Sequence, residues 1–279
     1  MIKEFEKIKT ELEENLKLIC TCENAQMQED LRRVVLAPGK RLRPALCFAT
    51  YNFNEGSKLP ILPLMIMLEL MHSASLIHDD VVDKGMVRRG VPTINATSGN
   101  EKAVFAADYL LARAMEYLKI YKGTGINERL AKVSEGMCLG EFFQIDNLDK
   151  NISKEKYFEQ IKLKTAYFLA ESAACGALAG NLSEEQVNKL WEYGLYIGIA
   201  FQIRDDILDI KKDAKTNKTL NQDKTKGLLT LPIMIGEENA IKEVDEYSKK
   251  AIDTIKEFKD CKAKAALIEM ANALSKRNM

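Results

Sequence analysis

Apolar residues recur at three- and four-residue intervals along most of the chain, and the alternation expected of half-buried strands is almost absent. This pattern predicts helices near residues 2–20, 26–36, 41–53, 61–82, 101–121, 126–147, 154–180, 184–210, 228–235, 238–258 and 261–276. Ser153 precedes Lys154-Glu155-Lys156 and Ser183 precedes Glu184-Glu185-Gln186, each placing a capping hydroxyl at a helix start. No linker rich in Pro, Gly or Ser divides the chain, and no repeat at solenoid spacing occurs. The expectation is an all-α fold, a single-domain helical bundle over residues 1–279 with a buried central layer. The apolar stretch from Leu59 to Leu76 is interrupted by Pro60, Pro63, Glu69 and His72. A membrane span needs about 20 mostly apolar residues, so this is read as a core helix.

Two acidic clusters break the apolar pattern: Asp79-Asp80-Val81-Val82-Asp83 and Asp205-Asp206-Ile207-Leu208-Asp209. Each has the form Asp-Asp-x-x-Asp and ends an apolar helix. Residues at i and i+4 lie on one helical face, so Asp79 pairs with Asp83 and Asp205 with Asp209. Carboxylates gathered at apolar helix ends repel one another unless cations sit between them. Mg²⁺ suits such a place, because it takes one or two carboxylates together with waters and substrate phosphates. Two acidic walls facing each other would hold Mg²⁺ and a phosphate-bearing substrate.

Charge narrows the choice of substrate. Lys+Arg and Asp+Glu both total 41, a net charge of +0, which argues against a nucleic-acid binder working through a basic face. Cationic sites must be local. Gly39-Lys40-Arg41-Leu42-Arg43-Pro44 is one, with Lys40 and Arg43 expected on a common face at a helix start, where backbone amides favour a diphosphate. Arg88-Arg89 is another, in the Gly- and Pro-containing connection directly after Asp83; a lysine-rich connection, residues 211–227, follows the second cluster. Taken singly, each of these also describes a solvated surface. His72 lies two turns before Asp79 and is expected on its face, with His78 pointing elsewhere. Lys164-Thr165 sits among apolar residues, where an unpaired ammonium is costly. Gln202 stands one turn before Asp205.

The six cysteines are scattered without a Cys-x-x-Cys pair and read as reduced packing residues of a cytoplasmic protein. The N-terminal Met1-Ile2-Lys3-Glu4-Phe5-Glu6-Lys7 is charged and amphipathic, unlike a signal peptide.

Both acidic clusters, in order with the basic motifs, resemble the trans-isoprenyl diphosphate synthases (polyprenyl synthetases). The likeness runs from Gly39 to Arg277 and is strongest in Leu76-Ile77-His78-Asp79-Asp80-Val81-Val82-Asp83, Arg88-Arg89-Gly90 and Phe201-Gln202-Ile203-Arg204-Asp205-Asp206-Ile207-Leu208-Asp209. The resemblance implies an isoprenoid-synthase bundle around an apolar cavity. It implies head-to-tail condensation of an allylic diphosphate with isopentenyl diphosphate, and three Mg²⁺ ligated by Asp79, Asp83 and Asp205. Asp80, Asp206 and Asp209 would ligate or support these. Lys40, Arg43, His72 and Arg89 would bind isopentenyl diphosphate, while Arg88, Lys164 and Lys218 would hold the allylic diphosphate. Thr165 and Gln202, with Lys164, would face the developing cation. A homodimer is implied, with apolar helical faces from Leu110-Leu111-Ala112 through Ile145 available for it.

Two departures from the family pattern stand out: Leu228 replaces the usual lysine before Leu229-Thr230-Leu231-Pro232, and Asn217 replaces the glycine before Lys218. Neither removes a metal ligand. Ala74 and Ser75, small residues one turn before Asp79, should line the product pocket, with Met71 and Leu68 beneath them. The expected product is therefore longer than farnesyl, geranylgeranyl or beyond. A short-chain farnesyl synthase and a subunit of a heteromeric long-chain synthase are the alternatives. A terpene cyclase, which needs no second diphosphate site, fits the basic motifs less well, and a non-catalytic subunit would not retain all six aspartates.

Overall fold

Close approach between backbones explains how the bundle is built. The computed structural model describes residues 2–55, 58–216 and 227–276. Its helices are α1 (Ile2–Ile19), α2 (Ala25–Val35), α3 (Leu42–Tyr51), α4 (Leu62–Val82), α5 (Ile94–Ser98), α6 (Asn100–Met115), α7 (Ile126–Asp146), α8 (Lys154–Ile161), α9 (Tyr167–Ala179), α10 (Glu184–Thr216), α11 (Leu231–Ile235), α12 (Glu237–Thr254) and α13 (Lys262–Lys276). Helix α10 packs most extensively against α9 and α12, α4 against α6, and α3 against α9. Glycines make the central contacts possible. A Cβ on Gly198 would lie 2.5 Å from Ala166 Cα, one on Gly194 2.6 Å from Ala170 Cα, and one on Gly176 2.2 Å from the Cys47 carbonyl oxygen.

Helix α4 is buried on several sides, which explains why it is apolar nearly all round. It joins α1, α2, α6 and α7 in one hydrophobic cluster. Helices α3, α9, α10, α12 and α13 form a second, and α8, α10, α11 and α12 a third. No described helix is long and apolar enough to cross a membrane.

Several predicted elements change form. The helix expected over 154–180 is interrupted by a π turn, Lys162–Ala166, which carries Lys164 and Thr165. Such turns commonly mark functional positions, and here α7 presses on it: a Cβ on Gly140 would meet the Lys164 nitrogen at 2.8 Å. The helix expected to reach residue 121 ends at Met115 and is followed by a 3₁₀ turn, Leu118–Tyr121. Helix α10 continues to Thr216, so the first part of the expected 211–227 loop is helical. Helix α5 was not foreseen; Thr93 caps it by accepting a hydrogen bond from the Ala96 N–H at 3.4 Å.

A short hairpin, β1 (Val87–Arg88) and β2 (Val91–Pro92), follows the first acidic cluster. Its register, Val87 to Pro92 and Arg88 to Val91, leaves Arg89-Gly90 as a two-residue turn with φ values of 52° and 81°. Positive φ at both positions is the geometry of a tight hairpin, which suits glycine and strains arginine.

The apolar faces expected to serve subunit contact, Leu110-Leu111-Ala112 through Ile145, lie only in part at the surface. Leu110 is buried in the core. The large apolar side chains that α6 and α7 do expose are Val104, Phe105 and Met115, then Leu139, Phe142 and Ile145.

Replacing Gly198 by valine should force α9 and α10 apart at the π turn. The expected loss is about 3 kcal/mol, read as a lower denaturation midpoint in urea. An unchanged midpoint would show that the backbones are not in contact there.

Candidate active site

Three cavities lie along α4 and its acidic end, and each has its own chemistry. The first is polar. It is lined by Asp83 at the end of α4, Asp206 and Gln202 on α10, Lys164 and Thr165 on the π turn, and Tyr157 on α8, among others. The two acidic clusters therefore reach one hollow from separate helices. Gln202 joins its parts: Thr165 Oγ1 donates to Gln202 Oε1 at 2.8 Å, and Gln202 Nε2 donates to Asp206 Oδ1 at 2.8 Å. Tyr157 donates its hydroxyl to Asp206 Oδ2 at 2.6 Å. Asp206 is thereby held on both oxygens, as suits a supporting carboxylate.

Lys164 lies between carboxylates. Its Nζ is 2.5 Å from Glu141 Oε2 and donates to Gln144 Oε1 at 3.1 Å. Burial works to lower its pKa, but the carboxylates of Asp79 and Glu141 outweigh it and hold the ammonium protonated. Burial pushes the Asp79 carboxyl up to about 6, with Glu141 and Asp83 adding to the rise against Lys164 and Arg88. A carboxylate so penalised is stabilised by any cation that enters. The rest of the first cluster divides its work. Asp80 is buried and paired with Arg88 Nε at 2.8 Å, across the hairpin. On α10, Asp205 is exposed and Asp209 half-buried.

The second cavity, of about 300 Å³, is apolar and begins at Asp79. Met71, Ala74 and Ser75 of α4 line it with Leu111, Met137 and Phe142 of α6 and α7. An adjacent hollow of about 480 Å³ shares Met71, Leu111 and Ser134 with it and is lined further by Met67, Leu118 and Leu130. The expected floor residue Leu68 is instead packed in the core, because the 3.6-residue period brings Met67 round to that face. His78, expected to point away, lines the second cavity and stands 3.6 Å from Asp108. Cys138, read as a packing residue, is exposed there too.

The third cavity, of about 280 Å³, is basic: Gly39, Lys40, Arg41, Arg43, His72 and Arg89 border it with Glu69 and Phe201. Helix α3 begins at Leu42, so Lys40 lies before it and does not share a helical face with Arg43. The turn is made instead by Arg41, at φ 47° and ψ 46°, which still brings both cations to the cavity. Burial, then Arg43 and Arg89, hold the His72 pKa well below its ordinary value, so the imidazole is neutral. The Arg43 guanidinium lies 4.6 Å over the Phe168 ring, and its charge is felt by both Asp79 and Asp205. Arg43 thus stands between the basic cavity and the acidic clusters.

Sequence reasoning missed Tyr157, Glu141, Gln144, Arg41 and Glu69 as site residues. Of these, Glu141 and Gln144 had a readable signal, a polar pair at i and i+3 in an apolar helix. Leu228, where family members carry lysine, lines the polar cavity with Leu229 and Thr230, so the departure falls inside the site. Lys218 and Asn217 lie outside the described residues.

The donor chemistry fits a hard divalent cation: carboxylate oxygens, one of them raised in pKa by burial, beside buried ammonium and amide groups. Among the described residues no three acidic, His or Cys side chains converge closely enough to hold an ion unaided. A cation bound here would complete its shell with waters or substrate oxygens.

Comparison with known proteins agrees with this layout. The polyprenyl synthetase family model matches residues 24–271. Component 2 of heptaprenyl diphosphate synthase from Geobacillus stearothermophilus is 35% identical over 225 residues, spanning 80% of this chain and 70% of that protein. A putative chloroplastic geranylgeranyl pyrophosphate synthase 8 of Arabidopsis thaliana is 33% identical over 294 residues, covering 100% of this chain and 81% of its own length. The crystal structure of heptaprenyl diphosphate synthase from Staphylococcus aureus superposes with a TM-score of 0.93 at 25% identity, covering 99% of each chain. A Caulobacter crescentus polyprenyl synthase, crystallised with calcium and isoprenyl diphosphate, gives 0.91 at 26% identity over 99% of this chain and 97% of its own. On the family match and these identities, the chain belongs to the polyprenyl synthetase family.

Proposed function

We propose that the protein condenses an allylic diphosphate with isopentenyl diphosphate, head to tail, releasing diphosphate and lengthening a trans-polyprenyl chain. The observation that carries this reading is a basic cavity, an apolar trench beginning at Asp79 and a polar hollow lined by Asp83 and Asp206, all three bordered by α4 or its acidic end. A reaction between two diphosphates, one bearing a growing hydrocarbon tail, needs those three surfaces together.

In this reading Asp79, Asp83 and Asp205 hold Mg²⁺, three ions by family resemblance, with Asp80, Asp206 and Asp209 in support. The bound ions would neutralise the departing allylic diphosphate. Lys164 adds a fixed positive charge at the same place, with Arg88 and Lys218 as further phosphate contacts. Cleavage of the allylic C–O bond leaves a carbocation, and the oxygens of Thr165 and Gln202 face it. Lys40, Arg43, His72 and Arg89 hold isopentenyl diphosphate with its double bond toward the allylic carbon. The new C–C bond forms, a proton leaves, and the released diphosphate is the base. The trench between α4, α6 and α7 takes the tail and keeps out water that would quench the cation.

Product length follows from the trench. From Asp79 to Met67 is twelve residues of helix, about 18 Å, with His78 near the mouth and only Ser75, Ala74 and Met71 beyond it along that wall. This favours geranylgeranyl or longer products over farnesyl. A second reading, a catalytic subunit of a heteromeric synthase, is favoured by the likeness to a protein named as component 2 of such an enzyme. The exposed apolar residues of α6 and α7 suit either a homodimer or that partner. The buried, unbridged Cys20, Cys47 and Cys175 suit a cytoplasmic setting.

The purified chain alone should convert farnesyl diphosphate and isopentenyl diphosphate when Mg²⁺ is supplied, and lose that activity in EDTA. Asp79→Asn, Asp83→Asn and Asp205→Asn should each cut the rate on the order of 10²–10³-fold or more. Activity only after a second protein is added would select the heteromeric reading; undiminished activity in EDTA would reject the metal assignment.

Chain length can be read separately. Ala74→Phe should shift products toward shorter chains, and Met71→Ala toward longer ones, in chromatography of the dephosphorylated products. If farnesyl diphosphate is not extended by the wild-type protein, the product assignment is wrong.

A further inference from the structure

The basic cavity contains one carboxylate whose place there is unexplained by anion binding. Glu69 of α4 is 1% exposed and lines the cavity among four cations. Its Oε1 accepts from Arg41 Nη1 at 2.6 Å. Arg41 is itself anchored elsewhere: its Nε and Nη2 donate to Glu13 of α1 at 2.7 and 3.0 Å, and Nη2 also donates to the Val35 carbonyl at 2.9 Å. This fixes one oxygen of Glu69. The other, Oε2, is buried and finds no hydrogen-bond partner among the described residues.

Across the same cavity, Arg43 Nε is also buried and without a partner. A donor and an acceptor of opposite charge are thus left unpaired around one hollow, though a buried unpaired polar group is costly. Among the charges acting on Arg43, that of Glu69 is the strongest. The Arg43 side chain meanwhile rests over Phe168.

We propose that Glu69 is a positioning residue for isopentenyl diphosphate: as the diphosphate enters, Glu69 Oε2 receives the Arg43 Nε–H and fixes Arg43 with its terminal nitrogens toward the phosphate oxygens. One rearrangement then satisfies both orphaned groups. It also uses arginine's particular geometry, since lysine has no Nε–H to give while its terminal charge grips phosphate. Glu69 is the stationary partner because Arg41, held by α1 and α2, clamps its other oxygen. The inference rests on assigning the basic cavity to isopentenyl diphosphate.

The sign of one kinetic change tests it. Removing a negative charge from an anion site should by electrostatics alone tighten binding. Positioning demands the reverse. Glu69→Gln keeps an oxygen for Arg41, so it should fold, and it should raise the KM for isopentenyl diphosphate about tenfold or more while leaving the allylic KM within about twofold. Arg43→Lys should raise the same KM, and the double variant E69Q/R43K should be no worse than the poorer single one, because the two residues form one contact. A lower or unchanged isopentenyl diphosphate KM in Glu69→Gln would overturn the proposal, as would additive effects in the double variant. Should Glu69→Gln fail to fold, Arg43→Lys in the Glu69→Asp background supplies the same cycle. If instead Lys40→Ala leaves the isopentenyl diphosphate KM unchanged, the cavity assignment itself has failed, independently of Glu69.

Discussion

Everything in this fold serves to hold like-charged carboxylates from two helices against one hollow inside an apolar bundle. Left to themselves, such groups would separate or take up protons, and Asp79, its carboxyl raised to about 6 chiefly by burial with Glu141 and Asp83 adding to the rise, is the group most exposed to that cost. What holds them is packing outside the site. The α9–α10 contact at Gly194 and Gly198 sets the distance between the π turn and the second acidic cluster. Gly140 does the same between α7 and Lys164. Around that fixed spacing the protein supplies partial relief through Lys164, Arg88 and the Tyr157 hydroxyl. The remaining charge demand is what a divalent cation and a diphosphate would meet.

Helix α4 organises the division of labour. Its Glu69 and His72 border the basic cavity, Met67, Met71, Ala74 and Ser75 line the apolar trench, Asp79 stands at the head of that trench, and Asp83 lines the polar hollow. Being buried on several sides, this helix carries polar groups only where each has a cavity or an ionic partner. A leaving diphosphate, a second diphosphate and a hydrocarbon tail can therefore be separated by a few turns of one rigid element. The hairpin turn at Arg89-Gly90 extends the same logic. It sends Arg88 back to Asp80 and lets Arg89 pack on Gly39, where a Cβ would lie 2.9 Å from Arg89 Nη1.

What the sequence made legible was whatever depends on local spacing. The acidic clusters, their i and i+4 faces and the basic motifs were readable because helix geometry relates near neighbours directly. The interruption at Lys162–Ala166 was not, because no breaker residue marks it in the sequence and its close neighbour Gly140 of α7 lies more than 20 positions away. The same limit hid Tyr157, whose hydroxyl reaches Asp206 across 49 positions, and Arg41, whose partners Glu13 and Glu69 each lie 28 positions away. Arg41 was given no role of its own within the basic motif; its ion pairs with Glu13 and Glu69 make it the post that fixes the loop. Met67 was passed over for Leu68 because the trench follows the face of Met71 and Ala74, four and seven residues from Met67, whereas Leu68 follows the face of Asp79. Leu228 was legible as a departure but not as a wall of the polar cavity, because only the folded chain brings α11's approach segment beside Asp83.

The most direct test of the shared acidic site is a crystal structure with Mn²⁺ and a non-reactive allylic diphosphate analogue, the metal located by anomalous scattering. The account predicts Mn²⁺ bridging analogue oxygens to Asp79 or Asp83 on one side and Asp205 on the other, with the hydrocarbon tail running past Ala74 toward Met71. Metal bound to one helix only, or a diphosphate seated away from both clusters, would contradict it.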